Sequence, residues 1–191
     1  MNYLAHLHIA SYCQSSLLGN LLGDFVKGDP TAHFSSAVVQ GIKLHRYVDS
    51  MTDAHDQVRN AKQLFLGRRR RFSGIALDMF WDHCLSSEWQ RYHQSNLSDF
   101  CKKAEYKVRE ECDQVLPERF MVVTEAMWKG RWLESYQSIE NIHFALQRMS
   151  TRSPRMAELV SCSDTLDQHY DRLKSIFHVL YPEILNASKR F

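Results

Sequence analysis

The sequence predicts an all-α fold: a single compact helical domain over residues 1–191, packed as a bundle of about eight to ten helices. Three observations predict it. Apolar residues recur at helical spacing through most of the chain. The 191 residues include 4 Pro and 7 Gly, too few to punctuate an all-β sandwich. No stretch alternates apolar and polar residues over the length of a strand.

Composition narrows the function classes. Hydrophobic residues make up 44% of the chain and charged residues 24%, an ordinary globular balance. A formal charge of +2 gives no whole-molecule pull toward nucleic acid or an anionic membrane, so neither is expected as a partner. The cysteines are Cys13, Cys84, Cys101, Cys112 and Cys162, odd in number, irregular in spacing and without a C-x-x-C. They read as reduced thiols. The opening stretch MNYLAHLHIA lacks a basic segment and carries His6 and His8 inside its apolar run, unlike a signal peptide. No apolar run approaches the ~18 residues that a bilayer span needs, and a cytoplasmic location is the expectation.

The elements follow in order. Leu17–Val26 and Ile75–Leu85 are apolar on almost every side, as in helices buried in a core, and Val38–Asp53 lies between them. From Leu97, apolar residues fall at Phe100, Cys101, Ala104, Val108, Cys112 and Val115, with charged residues on the other face, which predicts one amphipathic helix. A second stripe runs Tyr136, Ile139, Ile142, Leu146, Met149. A third runs from Leu166 to Leu180, and Pro182 reads as its stop signal. Ser153-Pro154 reads as an N-cap followed by Pro at the first helical position.

Polar groups four residues apart stand out in the first-half helices: Asn20 with Asp24, Asp78 with Asp82, and the series His45, Asp49, Asp53. Residues four apart lie one above the other on a helix face. A carboxylate in an apolar helix loses several kcal/mol of hydration unless a cation, a proton or a metal compensates. Pairing of Asp24, Asp49, Asp78 and Asp82 with arginines such as Arg46 or Arg71 is one reading. The other is a shared divalent ion such as Mn²⁺ or Mg²⁺, which carboxylates together with His45 and His83 would suit. His6 and His8 would share one side of a strand but diverge by about 200° on a helix. His6 is a candidate ligand and His8 a packed or surface histidine. The run Arg68, Arg69, Arg70, Arg71 precedes the Asp78 helix, where it opposes the macrodipole. It is either a solvated turn or a contact for an acidic partner. Glu140 and His143 form a Glu-x-x-His, but the di-iron bundle that uses this spacing needs it twice, and it occurs once.

Several blocks carry a resemblance: Met1–Ala10, Gly19-Asn20-Leu21-Leu22-Gly23-Asp24-Phe25-Val26, Gly41-Ile42-Lys43-Leu44-His45-Arg46-Tyr47-Val48-Asp49, Thr52-Asp53, Leu77-Asp78-Met79-Phe80-Trp81-Asp82-His83, Trp132-Leu133 and Met149-Ser150-Thr151-Arg152. In order and spacing they resemble the acyl carrier protein phosphodiesterase family over nearly the whole chain. The resemblance implies an HD-like helical domain related to metal phosphohydrolases and associated with Mn²⁺. It also implies hydrolysis of holo-acyl carrier protein to the apo-protein and 4′-phosphopantetheine. The dipeptide Asp82-His83 is reversed relative to the His-Asp of HD enzymes, and the literal His55-Asp56, in a polar stretch, is taken as incidental. Gly23 stands where that family commonly has alanine, a change expected to be harmless.

On this reading Asp24, His45, Asp78, Asp82 and His83 surround one or two divalent ions, with Asp49 and His6 near the shell. The ion would activate water for attack on phosphorus. Arg46 would offset charge on the phosphoryl oxygens, and a carboxylate or imidazole among Asp24, His45, Asp49 and Asp82 would move the proton. Lys27 and Arg68 to Arg71 would dock the acidic carrier. Two rivals remain: a metal phosphohydrolase acting on a nucleotide, and a non-catalytic helical module that binds an acidic protein.

Overall fold

The computed structural model describes residues 1–112 and 115–191. Among the described residues the chain forms eleven α-helices and no strand. They are α1 (Tyr3–Tyr12), α2 (Leu17–Leu22), α3 (Ser36–Ala54), α4 (Asp56–Lys62), α5 (Ser73–Ser87), α6 (Leu97–Glu110), α7 (Glu118–Lys129), α8 (Trp132–Ser135), α9 (Ile139–Ser150), α10 (Cys162–Gln168) and α11 (Tyr170–Ser188). Short 3₁₀ turns at Gly67–Phe72, Trp89–Arg91 and Pro154–Leu159 link some of them. The all-α expectation holds.

The core is built around α1. Its residues Leu4 to Ala10 are all buried, because α1 packs against α2, α3, α5 and α11 at once. A helix covered on every side has no polar face to spare, which is why its sequence shows almost no amphipathic pattern. Beneath it Trp81, Phe177 and Tyr181 stack in series, with ring centroids 6.1 and 5.0 Å apart. All three are fully buried.

Helices α2 and α3 approach unusually closely, and two glycines permit it. A Cβ on Gly41 would lie 2.9 Å from Gly19 Cα and 2.8 Å from the Ser16 carbonyl oxygen. Real side chains do not tolerate such distances, so the backbones meet only because both positions lack one. This contact sets the distance from Asn20 on α2 to His45 on α3.

Several element boundaries differ from those the periodicity predicts. Helix α2 stops at Leu22, so Asp24 lies beyond its end rather than one turn above Asn20. Helix α6 ends at Glu110, and Val115 is almost fully exposed; residues 113–114, inside the predicted stripe, lie outside the described residues. Tyr136 precedes α9 rather than belonging to it. Pro182 does not stop α11 but sits inside it. The helix tolerates the lost N–H there because Leu180, Tyr181 and Ile184 pack that turn into the core. Ser153 does cap the segment that starts at Pro154, accepting from Arg155 N, but the segment is a 3₁₀ turn. No described helix is long and apolar enough to cross a membrane. All five cysteines are free.

Candidate active site

Three side chains from two helices converge at one end of α1. His6 is on α1; His45 and Asp49, one turn apart, are on α3. His6 Nε2 lies 3.1 Å from Asp49 Oδ1, and His45 Nε2 lies 3.0 Å from Asp49 Oδ2. The two imidazoles stack with centroids 3.8 Å apart. One nitrogen from each ring and one carboxylate oxygen fit within 4.8 Å of one another. Asp24, from the turn after α2, brings Oδ1 to 3.5 Å from His45 Nε2. The α-amino group of Met1 lies 3.6 Å from Asp49 Oδ1 and 2.7 Å from Asp78 Oδ1.

The orientation of His45 is fixed from behind. Its Nδ1 lies 2.7 Å from the carbonyl oxygen of Asn20, so Nδ1 carries a hydrogen and donates it. Nε2 is thereby aimed at the two carboxylates. A histidine that binds metal is commonly held this way, with its second nitrogen donating to a carbonyl. Burial opposes charge on His45, but Asp24 and Asp49 outweigh it and raise the ring to about 9. His6 is pushed down to about 4, first by burial and then by the neighbouring His45 charge. Its Nδ1 is buried with no hydrogen-bond partner. Burial works against the Asp49 carboxylate, yet hydrogen bonds from His45 and His6 hold it well below the usual range. Asp24 is likewise held low by His45 against partial burial.

The donor set fits a divalent ion. Two imidazoles with one or two carboxylates form a donor set for a divalent first-row ion, Mn²⁺ among them. Among the described residues no Arg or Lys pairs with Asp24, Asp49, Asp78 or Asp82. Their partners are His45, His6, the Met1 amine and backbone N–H groups. The arginine-pairing alternative, through Arg46 or Arg71, is therefore not what the fold uses.

Other expected site residues have different surroundings. Asp82 is fully buried, and its two oxygens accept from Leu4 N at 2.8 Å and Ala5 N at 3.0 Å. The Asn2 side chain makes no cap, so Asp82 caps α1 from a neighbouring helix. Burial raises it to about 7 in spite of those two bonds. His83 faces elsewhere: Nδ1 meets the Tyr136 carbonyl and Nε2 the Tyr170 hydroxyl, both at 2.8 Å. Consecutive helical residues point about 100° apart, so Asp82 and His83 cannot both face α1. With both nitrogens engaged, His83 has no lone pair to offer a metal. Asp78 is half-buried and tied to the Met1 amine. Asp24 is exposed and Asp49 half-buried, so only Asp82 of the four is the fully buried carboxylate that the apolar helices suggested.

Arg46 donates to the carbonyls of Val26 at 2.7 Å and Gly28 at 2.8 Å. It thus braces the loop that carries Asp24 and the exposed Lys27. In the basic run, Arg68 pairs with Glu158 at 3.7 Å and Arg69 with Asp164 at 3.2 Å, while Arg71 lies over the Phe72 ring. The first half of the run therefore ties the Gly67–Phe72 turn to the C-terminal part of the chain. His8 leaves the cluster, as a helix requires, and bonds Tyr181 and Tyr92. His55 caps α4 through Gln57 N, and Asp56 pairs with Arg59. His143 lies beside Asp167, and Glu140 bonds Ser138. Gly23 packs against the His45 ring, where a Cβ would lie 2.2 Å from Cγ. An alanine there is not neutral; it requires the ring or the backbone to shift.

Sequence reasoning missed a cavity of about 700 Å³ next to this cluster. Asn2 and Tyr3 of the α1 end line it, as does Met79 beside Asp78. Its far wall carries Arg119, Arg148 and Arg152 together with Trp132, Tyr136 and Phe144. Residues so far apart in the chain leave no local signal.

Comparison with known proteins places the chain in a family. A family model described as acyl carrier protein phosphodiesterase matches residues 1–184. Proteins named acyl carrier protein phosphodiesterase from Pectobacterium atrosepticum and Serratia proteamaculans are each 40% identical over 190 residues, covering 99% of this chain and 98% of theirs. One of the same name from Salmonella agona is 39% identical over 194 residues, covering 100% of this chain and 98% of its own. No solved structure matches. A family match over nearly the full length, with relatives about 40% identical over 99% of the chain, leaves one conclusion: the chain belongs to the acyl carrier protein phosphodiesterase family.

Proposed function

We propose that this chain hydrolyses the phosphodiester linking 4′-phosphopantetheine to the serine of holo-acyl carrier protein, giving apo-acyl carrier protein and 4′-phosphopantetheine, and that it does so with a divalent ion, Mn²⁺ or Mg²⁺. Family membership supports the reaction. The observation that carries the metal reading is the convergence of one ring nitrogen each of His6 and His45 and an Asp49 oxygen within 4.8 Å, with His45 oriented by Asn20.

His6, His45 and Asp49 would hold the ion. A divalent cation supplies Lewis acidity, acidifying water and offsetting negative charge on phosphoryl oxygens. Asp24 stays ionised at neutral pH and is the most exposed group of the cluster, so it takes the proton from the attacking water at its carboxylate. The water oxygen joins phosphorus, the bond from phosphorus to the serine oxygen breaks, and that oxygen leaves with the proton. Arg46 keeps the Asp24 loop in place. Asp82 fixes where α1 begins, and hence where His6 stands. Asp78 holds the α1 end through the Met1 amine. Lys27 with Arg70 and Arg71, none of them paired to a carboxylate among the described residues, are the docking candidates for the acidic carrier.

One observation favours a second reading. The aromatic lining of the neighbouring cavity, Trp132, Tyr136 and Phe144, would also stack a nucleobase. The two readings separate in one assay. Holo-acyl carrier protein and free nucleotides are incubated with the enzyme and Mn²⁺, and loss of the phosphopantetheine mass is followed. Loss of that mass, abolished in His45→Ala and Asp49→Ala, is expected. Nucleotide hydrolysis with an untouched carrier would overturn the substrate, and full activity in both variants would overturn the site.

A further inference from the structure

We propose that the cavity between α7, α8 and α9 seats the phosphopantetheine arm of the substrate, with the phosphate held by Arg119 and Arg152 and the arm lying along Trp132, Tyr136 and Phe144. This inference rests on the hydrolysis proposed above, and adds to it the place where the non-protein half of the substrate binds.

Charge is the first argument. Arg119, Arg148 and Arg152 face one cavity, and none has a carboxylate within 4 Å among the described residues. The arginine ion pairs of the fold use Arg59, Arg68, Arg69, Arg91, Arg109 and Arg131 instead. Guanidinium groups that share a cavity without counter-charge repel one another. An anion between them reverses that cost, and the planar forked donors of arginine suit phosphate oxygens.

Position is the second. Tyr3 lines the cavity and stands three residues before His6, one helical turn from the metal-binding cluster. Arg119 and Arg152 line the same cavity as Tyr3. Arg119 also lies 5.8 Å from the ring of Phe25, the neighbour of Asp24. Arg148 is displaced along the wall, 5.8 Å from the Phe144 ring. A phosphate held at Arg119 and Arg152 would sit in the cavity that Tyr3 lines, one helical turn from His6, with the chain attached to it lying along the aromatic wall.

Shape and chemistry are the third. About 700 Å³ falls within the range of small-ligand sites. The arm carries an apolar dimethyl group near the phosphate and then two amides. The aromatic wall suits the former, and Asn141 and Ser135 offer partners for the latter.

The test measures binding without requiring turnover. The full-length protein is titrated calorimetrically with 4′-phosphopantetheine, with pantetheine lacking the phosphate, with inorganic phosphate and with adenosine monophosphate. 4′-Phosphopantetheine should bind tightest. Arg119→Ala and Arg152→Ala should each weaken it about tenfold or more while leaving pantetheine unchanged. Ala145→Trp, which fills the cavity, should abolish binding of both. Arg119 and Arg152 are exposed, and a thermal melt of each variant checks that the fold is intact. Failure of 4′-phosphopantetheine to bind, unchanged affinity in all three variants, or adenosine monophosphate binding equally well would overturn the assignment. Holo-carrier hydrolysis is measured in parallel. Wild-type hydrolysis with a KM that none of the variants alters would sink the cavity and leave the reaction standing. Arm binding that the variants abolish, without carrier hydrolysis, would do the reverse.

Discussion

The Nδ1 hydrogen of His45 is donated to the carbonyl of Asn20 across 2.7 Å, from one helix to the next. The bond exists because Gly19 and Gly41 let α2 and α3 touch backbone to backbone. Gly41→Ala places a methyl group 2.8 Å from the Ser16 carbonyl oxygen and must push the helices apart. Overpacking of this kind costs about 1–3 kcal/mol. The expected outcome is a lower melting temperature together with weakened Mn²⁺ binding. Unchanged metal affinity in the folded variant would show that the Asn20 contact does not set the site.

Asp82 separates a structural carboxylate from a ligand. Asp82→Ala leaves two buried N–H groups of α1 without acceptors, which costs on the order of 1–3 kcal/mol. Stability in urea should fall by that amount, while Mn²⁺ still binds the folded fraction. Asp49→Ala should behave in the opposite way, sparing stability more than metal affinity. Equal loss of metal in both would return Asp82 to the coordination sphere.

Acid stability has a traceable source in His8. Burial lowers its pKa to about 4 from 6.5, against the help of the Tyr92 carbonyl. Nε2 donates to that carbonyl, and Nδ1 accepts from the Tyr181 hydroxyl. The folded chain therefore binds fewer protons than the unfolded one between these values. Its contribution, on the order of 3 kcal/mol, is present above pH 6.5 and lost as pH falls through 4. Urea midpoints at pH 7 and pH 4 should differ less in His8→Gln than in wild type. An identical pH dependence would remove His8 from the explanation.

Carrier docking can be read from salt. Arg70 and Arg71 are not in the ion pairs that hold Arg68 and Arg69. Reversing both charges, in Arg70→Glu/Arg71→Glu, should raise KM for holo-carrier several-fold at low ionic strength with kcat unchanged. The effect should shrink as the Debye length falls from about 10 Å at 0.1 M salt to about 3 Å at 1 M. A salt-independent effect would mark a folding defect instead.

Legibility in the sequence followed length and distance. Helices such as α3, α6 and α9 showed their spacing and the apolar runs of α2 and α5 marked buried helices, whereas α4 and α8, of seven residues or fewer, hold too few turns for a period to stand out. His45 and Asp49 were legible because one turn of α3 joins them. His6 became definite only once α1 was a helix and carried His8 to the opposite side. Asp82 and His83 misled because spacing says which residues share a face but not what that face meets. Here it met the backbone of α1 and the hydroxyl of Tyr170. The arginines of the cavity come from α7, α9 and the turn after it, a tertiary grouping with no one-dimensional trace.

The most direct test of the proposed metal-binding role of the cluster is calorimetric titration of Mn²⁺ into the metal-free protein at neutral pH, repeated with His45→Ala and Asp49→Ala. His6, His45 and Asp49 as donors require saturable binding in wild type and its loss in both variants, with the folded state of each confirmed by circular dichroism. Saturable binding that survives both substitutions in folded protein would contradict the site.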